Sequence, residues 1–191
     1  ANRLLSKENE LTGTVIRYDY DRFDFLIRQE TTQGSETDVI YRVPDFVGNL
    51  FGTPDRKDRK YGAGGKLLED PDCFYHYDDE GNLIFREFKQ LQETGVRYDR
   101  KRMEKERGIR CLATGTGWLY EWASNGMLKN VIRPDGRPVE FRYDALGRRT
   151  AKLYFGKVTR WVWDGNVPLH EWITTATDND VLPNRNNITT W

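Results

Sequence analysis

The chain has no net charge, few cysteines or histidines, and no long apolar run. Its 30 Lys and Arg balance its 30 Asp and Glu over 191 residues. No global field therefore draws it toward nucleic acid or a membrane surface. No segment is apolar for long enough to span a bilayer as a helix, and no signal peptide is visible. The two cysteines, Cys73 and Cys111, lie far apart with no CxxC spacing. They read as small, partly buried residues, with a disulfide between them left open. The two histidines, His76 and His170, stand at no metal-ligand spacing. Apolar residues make up 37% and charged residues 31%, which is too polar for a thick globule. The rings are plentiful, with six Trp, ten Tyr and nine Phe. That abundance argues against disorder and fits a thin sheet in which rings supply most of the burial.

What the chain does have is a short phrase repeated with errors. It reads Tyr143-Asp144-Ala145-Leu146-Gly147-Arg148-Arg149, Tyr77-Asp78-Asp79-Glu80-Gly81-Asn82-Leu83 and Trp122-Ala123-Ser124-Asn125-Gly126-Met127-Leu128. Each places an aromatic residue four positions before a glycine. Tyr61 to Leu67 keeps the aromatic, the glycine and a Leu; Asp45 to Leu50 lacks the aromatic; Tyr20 to Leu26 lacks the glycine. The aromatic buries a ring at a strand end. The Asp accepts N–H groups of the following turn, and the Gly supplies a positive φ. Each copy is thus a strand, a turn and the start of the next strand, repeated along the chain.

The pattern is clearest over 118–172. Leu128, Val131 and Ile132 lead to the turn Arg133-Pro134-Asp135-Gly136. Val139, Phe141 and Tyr143 then alternate with Glu140 and Arg142, as in a half-buried strand. Further strands follow between turns at 145–147, Gly156 and Asp164-Gly165-Asn166. Turn signals every ten residues or so, without a helical period, predict an all-β fold, an antiparallel β-meander of repeated hairpins.

These phrases resemble the YD-repeat, or Rhs-repeat, family. The resemblance is carried by the Tyr120-Glu121-Trp122 phrase with Gly126, the Pro134-Asp135-Gly136 hairpin, Tyr143 to Arg149, and Val162-Trp163-Asp164-Gly165-Asn166. The last phrase looks like the approach to the Rhs core region. Weaker copies extend the resemblance back to about Tyr18. It implies a sheet that winds into a hollow cocoon, which in Rhs-type polymorphic toxins encloses a variable C-terminal toxin delivered to competing cells. It also implies a self-cleaving core after the repeats. This chain ends at Trp191 with no Asp-Pro-x-Gly phrase, so neither protease residues nor a toxin carry over. The expectation is a segment of a larger protein, which agrees with its starting on Ala rather than Met.

The whole of 1–191 reads as one repeat domain. Residues 1–12 lack a pattern and are expected to extend loosely or pair at an edge. From Thr14 to Val43 two or three strands are expected, with 31–37 as a polar turn. Residues 54–60 form a charged loop. A charged insertion covers about 86–113, where Phe85, Phe88 and Leu91 hint at a helix but Leu83 and Phe85 also fit a strand. The nearly all-charged run Arg97 to Arg107 predicts one short solvated helix. Residues 174–187 read as a long loop, with a strand resuming at Ile188–Trp191.

No motif for chemistry survives scrutiny. Gly62-Ala63-Gly64-Gly65-Lys66 invites comparison with a phosphate loop, but Lys60 and Leu67 stand where that loop needs Gly and Ser or Thr. Gly115-Thr116-Gly117 lacks the third glycine of a dinucleotide fingerprint. His76, between Tyr75 and Tyr77 on a predicted strand, suits exposure or a structural bond better than catalysis, and His170 beside Glu171 reads the same way. Ser6, Ser35 and Ser124 lie in no nucleophile elbow. Glu69-Asp70-Pro71-Asp72 and Asp78-Asp79-Glu80 lack calcium-loop spacing. The basic run 97–110 is interrupted by Asp99, Glu104 and Glu106, unlike a phosphate-tracking stripe.

The expected role is therefore a non-catalytic structural segment of an Rhs-type shell, with no catalytic, cofactor-binding or metal-binding residues. The expected partners are adjoining repeats and a toxin domain of a longer chain. Open strand edges at the N-terminal stretch through Ile16 and at 188–191 could also support self-association. The full-length protein would be secreted or at the cell surface. The alternative is a surface module that binds carbohydrate or protein. Exposed, clustered rings of Trp118, Trp122, Trp161, Trp163 and Trp172 would favour that alternative, and Trp packed between hairpins would favour the shell.

Overall fold

The computed structural model describes residues 3–175 and 188–190. The chain divides into two compact units, Ala1–Pro71 and Asp72–Trp191. The sequence alone suggested one array through 1–191.

In the first unit, β1 (Ser6–Asn9), β2 (Thr14–Tyr20), β3 (Leu26–Gln33) and β4 (Glu36–Tyr41) form an antiparallel sheet in that order. The N-terminal stretch is therefore paired, with Lys7 opposite Ile16. The turn expected over 31–37 shrinks to Gly34 and Ser35, because Thr31, Thr32 and Thr37 are β-branched and continue the ladder. Two short pairs follow, β5 (Val43–Pro44) with β6 (Leu50–Phe51) and β7 (Lys60–Tyr61) with β8 (Leu67–Glu69). Residues 54–59 form the charged loop, and Ala63–Gly65 makes a single 3-10 turn inside the glycine-rich phrase.

The second unit holds β9 (Cys73–Tyr77), β10 (Leu83–Phe88), β11 (Gly117–Trp122), β12 (Leu128–Ile132), β13 (Pro138–Tyr143), β14 (Arg149–Tyr154), β15 (Lys157–Asp164), β16 (Val167–Thr175) and β17 (Ile188–Thr190). These nine strands lie side by side in sequence order, so the expected antiparallel meander is observed. Residues 86–88, suggested as insertion, belong to β10, and Phe85 and Phe88 alternate along that strand. Thr174 and Thr175, assigned to a loop, close β16; the remainder of that loop, 176–187, and Trp191 lie outside the described residues. Between β10 and β11 sits α1 (Arg100–Arg107), the one α-helix among the described residues and in the place expected for it. Asp99 caps it by accepting the N–H of Arg102 at 2.8 Å, and Gly108 ends it at φ 65°.

One turn geometry recurs through both units. Asp144 N–H donates to the Arg148 carbonyl at 3.0 Å, and Gly147 N–H donates back to Asp144 at 3.1 Å. The same two bonds start at Asp21, Asp45, Gly62, Asp78, Ala123 and Arg133. This is a type I turn closed by a residue in the left-handed region. Gly147 occupies that position at φ 78°, and in the copy without glycine Asp24 takes it at φ 70°. Asp144 Oδ1 accepts the N–H groups of Leu146 and Arg148, both at 2.9 Å, and Asp21 and Asp45 repeat the arrangement.

Candidate functional site

The repeats carry a feature that their sequence does not advertise. In five hairpins the strand register shifts immediately before the aromatic residue, at Tyr20, Tyr61, Trp122, Tyr143 and Trp163. A bulge there re-aims the side chain. Its polar tip then donates to a backbone carbonyl upstream. Tyr20 Oη reaches Leu4 at 3.0 Å, Trp122 Nε1 reaches Leu83 at 2.8 Å, Tyr143 Oη reaches Leu128 at 2.9 Å and Trp163 Nε1 reaches Arg149 at 2.9 Å. Tyr61 Oη donates to Leu50 in the same way. In the last three long hairpins the acceptor opens the partner strand, so each ring ties the end of one strand to the start of the one before. The legible signal was the choice of ring: these positions hold Tyr or Trp and never Phe, in a chain with nine Phe.

The register places a second set of rings on one face of the second unit. Tyr75 and Trp118 flank Arg86 across β9, β10 and β11. Further along that face the Arg133 guanidinium lies 5.5 Å from the Trp118 ring and 5.2 Å from Tyr154. Arg149 lies 5.7 Å from Phe141 and 4.6 Å from Trp161. Trp161 Nε1 donates to Glu171 at 2.7 Å. Arginine and rings thus interleave, each contact contributing about 0.5–1 kcal/mol at partly exposed sites. Trp172 is buried, and Trp118, Trp122, Trp161 and Trp163 are half-buried.

The opposite face is covered by the insertion. Phe85 and Leu119, paired across β10 and β11, pack against Met103 and Ile109 in a core joined by Tyr98, Cys111 and Ile132. Two carboxylates fasten this cover: Glu121 of β11 accepts from Arg107 of α1 at 2.9 Å, and Glu87 holds the segment that follows the helix. Glu87 is fully buried. Its Oε1 accepts the N–H groups of Ala113 and Gly115 at 2.9 and 2.8 Å; its Oε2 accepts Leu112 N–H at 2.7 Å and lies 3.1 Å from His76 Nε2. Burial pushes the carboxyl up, but the bonds from His76 and from the backbone of Leu112, Gly115 and Ala113 outweigh it and hold Glu87 down at about 2. With each oxygen taken by two donors, Glu87 keeps no lone pair for proton abstraction. The pair is a clamp, and of the two roles open to His76, exposure or a structural bond, it takes the second.

The other sequence candidates are placed apart. Cys73 is buried and accepts from Arg86 Nε at 3.2 Å, and no disulfide joins it to Cys111. Burial and the charge of Glu87 push the Cys111 thiol up, away from nucleophilic form. His170 Nδ1 lies 3.0 Å from Thr190 Oγ1, between β16 and β17. Asp78 accepts Asn82 N–H at 2.7 Å, a turn role for part of the acidic run. Among the described residues no group of three or more His, Cys, Asp and Glu is placed to hold a metal ion. No helix among them is long and apolar enough to cross a membrane.

A meander of hairpins with one repeated, ring-stitched turn defines a β-hairpin repeat protein. Residues 124–156 match the family described as RHS Repeat. The chain is 33% identical over 164 residues to the probable deoxyribonuclease RhsB of Dickeya dadantii (strain 3937), covering 82% of this chain and 10% of that protein. It is 29% identical to the probable deoxyribonuclease RhsA of the same strain, with the same coverage. The chain belongs to the Rhs, or YD-repeat, family. It spans 10% of the length of these two relatives. Among solved structures, it is similar to a chain of the TcdB2-TccC3-Cdc42 crystal structure, at 12% identity and a TM-score of 0.42, over 88% of this chain and 8% of that one. The TcdB2-TccC3-TEV crystal structure gives 14% identity and a TM-score of 0.31, over 90% and 12%.

Proposed function

We propose that this stretch is a non-catalytic wall segment of an Rhs-type shell, which encloses or presents a C-terminal toxin for delivery to competing cells. The observation that carries the reading is the stitched meander. The repeat aromatics Tyr20, Tyr61, Trp122, Tyr143 and Trp163 engage their own backbone, and arginines that could meet a ligand lie instead against neighbouring rings. Trp held in this way supports a wall over a sugar-binding face, because stacking on a sugar needs an open ring face. The partners are the adjoining repeats and the toxin domain of the longer chain, in a secreted or cell-surface protein. The clamp at Glu87 serves the wall by holding a cover over one sheet face.

Limited proteolysis of the longer protein tests this. The segment beyond the repeats should resist cleavage while the sheet is intact. It should become sensitive when Gly117→Val forces β10 and β11 apart. A C-terminal region cut equally fast in both proteins would contradict enclosure.

A further inference from the structure

The first unit carries an exposed apolar cleft of about 1050 Å³ that the repeat architecture does not use. Its walls are two neighbouring copies of the recurring turn, at Asp21–Phe25 and Asp45–Asn49. Phe23 is 65% exposed, Phe25 59% and Phe46 98%. Three bare phenylalanines at two turn tips are a large apolar surface to leave in water, and contiguous patches of this kind mark interaction sites. These rings also break the rule of the repeat: they are Phe, with no polar tip to tie to a carbonyl.

The charges at the mouth say what kind of partner fits. Arg22, Arg42 and Arg56 line the cleft. None of their guanidiniums is ion-paired to a carboxylate among the described residues, and Arg22 lies 4.6 Å from the Phe23 ring. The two carboxylates at the mouth, Asp21 and Asp45, face inward to their own turns. Asp21 Oδ1 accepts Phe23 and Phe25 N–H, and both Asp45 oxygens are held by Val47 and Asn49. Arg56 moreover sits at φ 58°, a strained position for a residue with a Cβ. The outward donors are cationic and the floor is aromatic. A concave site of this type takes a chain segment better than a flat lipid surface does.

We propose that this cleft docks a separate polypeptide presenting apolar side chains between carboxylates. Apolar groups fill the space among Phe23, Phe25 and Phe46, and carboxylates meet Arg42 and Arg56 at the rim, where complementary charge sets selectivity and encounter rate.

The probe is a fluorescent peptide alternating Glu with Trp and Leu, titrated with the 191-residue chain and read by anisotropy. The control peptide has Lys in place of every Glu. The acidic peptide should bind saturably, more weakly as salt rises, and the Lys peptide should not. Phe46→Ser and Arg42→Glu should each weaken binding roughly fivefold or more, with unchanged circular dichroism. Phe46 is almost fully exposed, so its replacement leaves the packing untouched. Equal binding of both peptides, or full affinity in both variants, overturns the proposal. So does co-sedimentation with phosphatidylserine vesicles by a chain that leaves the acidic peptide unbound, which would make the cleft a lipid contact.

Discussion

The hydroxyl of Tyr143 donates to the backbone carbonyl of Leu128 at 2.9 Å, joining the last residue of β13 to the first of β12. The ring buries area and its oxygen closes the open end of the β12–β13 hairpin, from a residue that a bulge in the neighbouring β13–β14 ladder has re-aimed. Tyr143→Phe keeps the ring and removes only the donor. It should lower stability by about 1 kcal/mol, measured by urea unfolding. Trp122→Phe, which also loses ring area, should cost more. An unchanged midpoint for Tyr143→Phe would show that water replaces the bond without loss.

Glu87 should be the most sensitive polar side chain in the second unit. Glu87→Ala leaves three backbone N–H groups and His76 without their acceptor in a buried site. The expected loss is about 3–5 kcal/mol, with faster hydrogen exchange at Leu112, Ala113 and Gly115. Glu87→Gln keeps one acceptor oxygen and should fall between.

The same residue predicts a pH dependence. Its carboxyl is held at about 2, against 4.5 when unperturbed. A depressed value means stability that is present above the unfolded value and lost as pH falls through the folded one. The window is about pH 5 down to 2, and the contribution is of the order of 3 kcal/mol. Other turn carboxylates are also held low: at Asp45 and Asp78 burial pushes the carboxyl up, but the side-chain amides of Asn49 and Asn82 together with backbone N–H donors outweigh it, and at Asp144 the backbone N–H of Arg148 leads. The test is therefore a difference. The gap in stability between wild type and Glu87→Gln should narrow as pH drops across this window, and a constant gap would contradict the assignment.

Gly117 opens β11 at φ 156°, and a Cβ built there would lie 2.0 Å from the Arg86 carbonyl oxygen. Gly117→Ala should separate β10 from β11 and cost about 3 kcal/mol or more. Gly126, at φ 77° with nothing near its missing Cβ, should lose only about 1–2 kcal/mol as Ala. Thermal melts of the two variants should rank in that order.

Self-association through strand edges should follow the nature of each edge. Lys7 and Glu8 of β1 are exposed and charged, which blunts pairing. The edge of β4 carries Val39 and Ile40 and is the better template. Sedimentation should show weak association that Ile40→Lys abolishes; if a charge on β1 abolishes it instead, the contact lies at the other edge.

The turns were legible because a positive φ demands glycine and a glycine four residues after a ring is easy to see. The helix was legible from its charge, and its ends could have been read from Asp99 and Gly108. Three things were not. The hint of a helix at Phe85, Phe88 and Leu91 arose because short strands fit several periods, and only the ladder to His76 and Leu119 decides between them. Glu87 fell at the start of what read as a charged insertion and looked like one more solvated charge, since three of its four partners are backbone N–H groups that no side-chain pattern reports. The cleft was invisible because Phe23 and Phe46 looked like burial, whereas the turn geometry points them outward.

In the second unit each strand finds its partners immediately before and after it along the chain. Such a sheet can be laid down in the order of synthesis: as each hairpin leaves the ribosome, the edge it needs is already there, and little loop-closure entropy opposes its addition. The clamp from Glu87 to Leu112, Ala113 and Gly115 is the exception, since it waits for more than twenty further residues. Growth by accretion also makes length an inherited variable. A hairpin can be duplicated or deleted and its neighbours rejoin across the gap, which is how a repeat of this kind lengthens without redesigning a core.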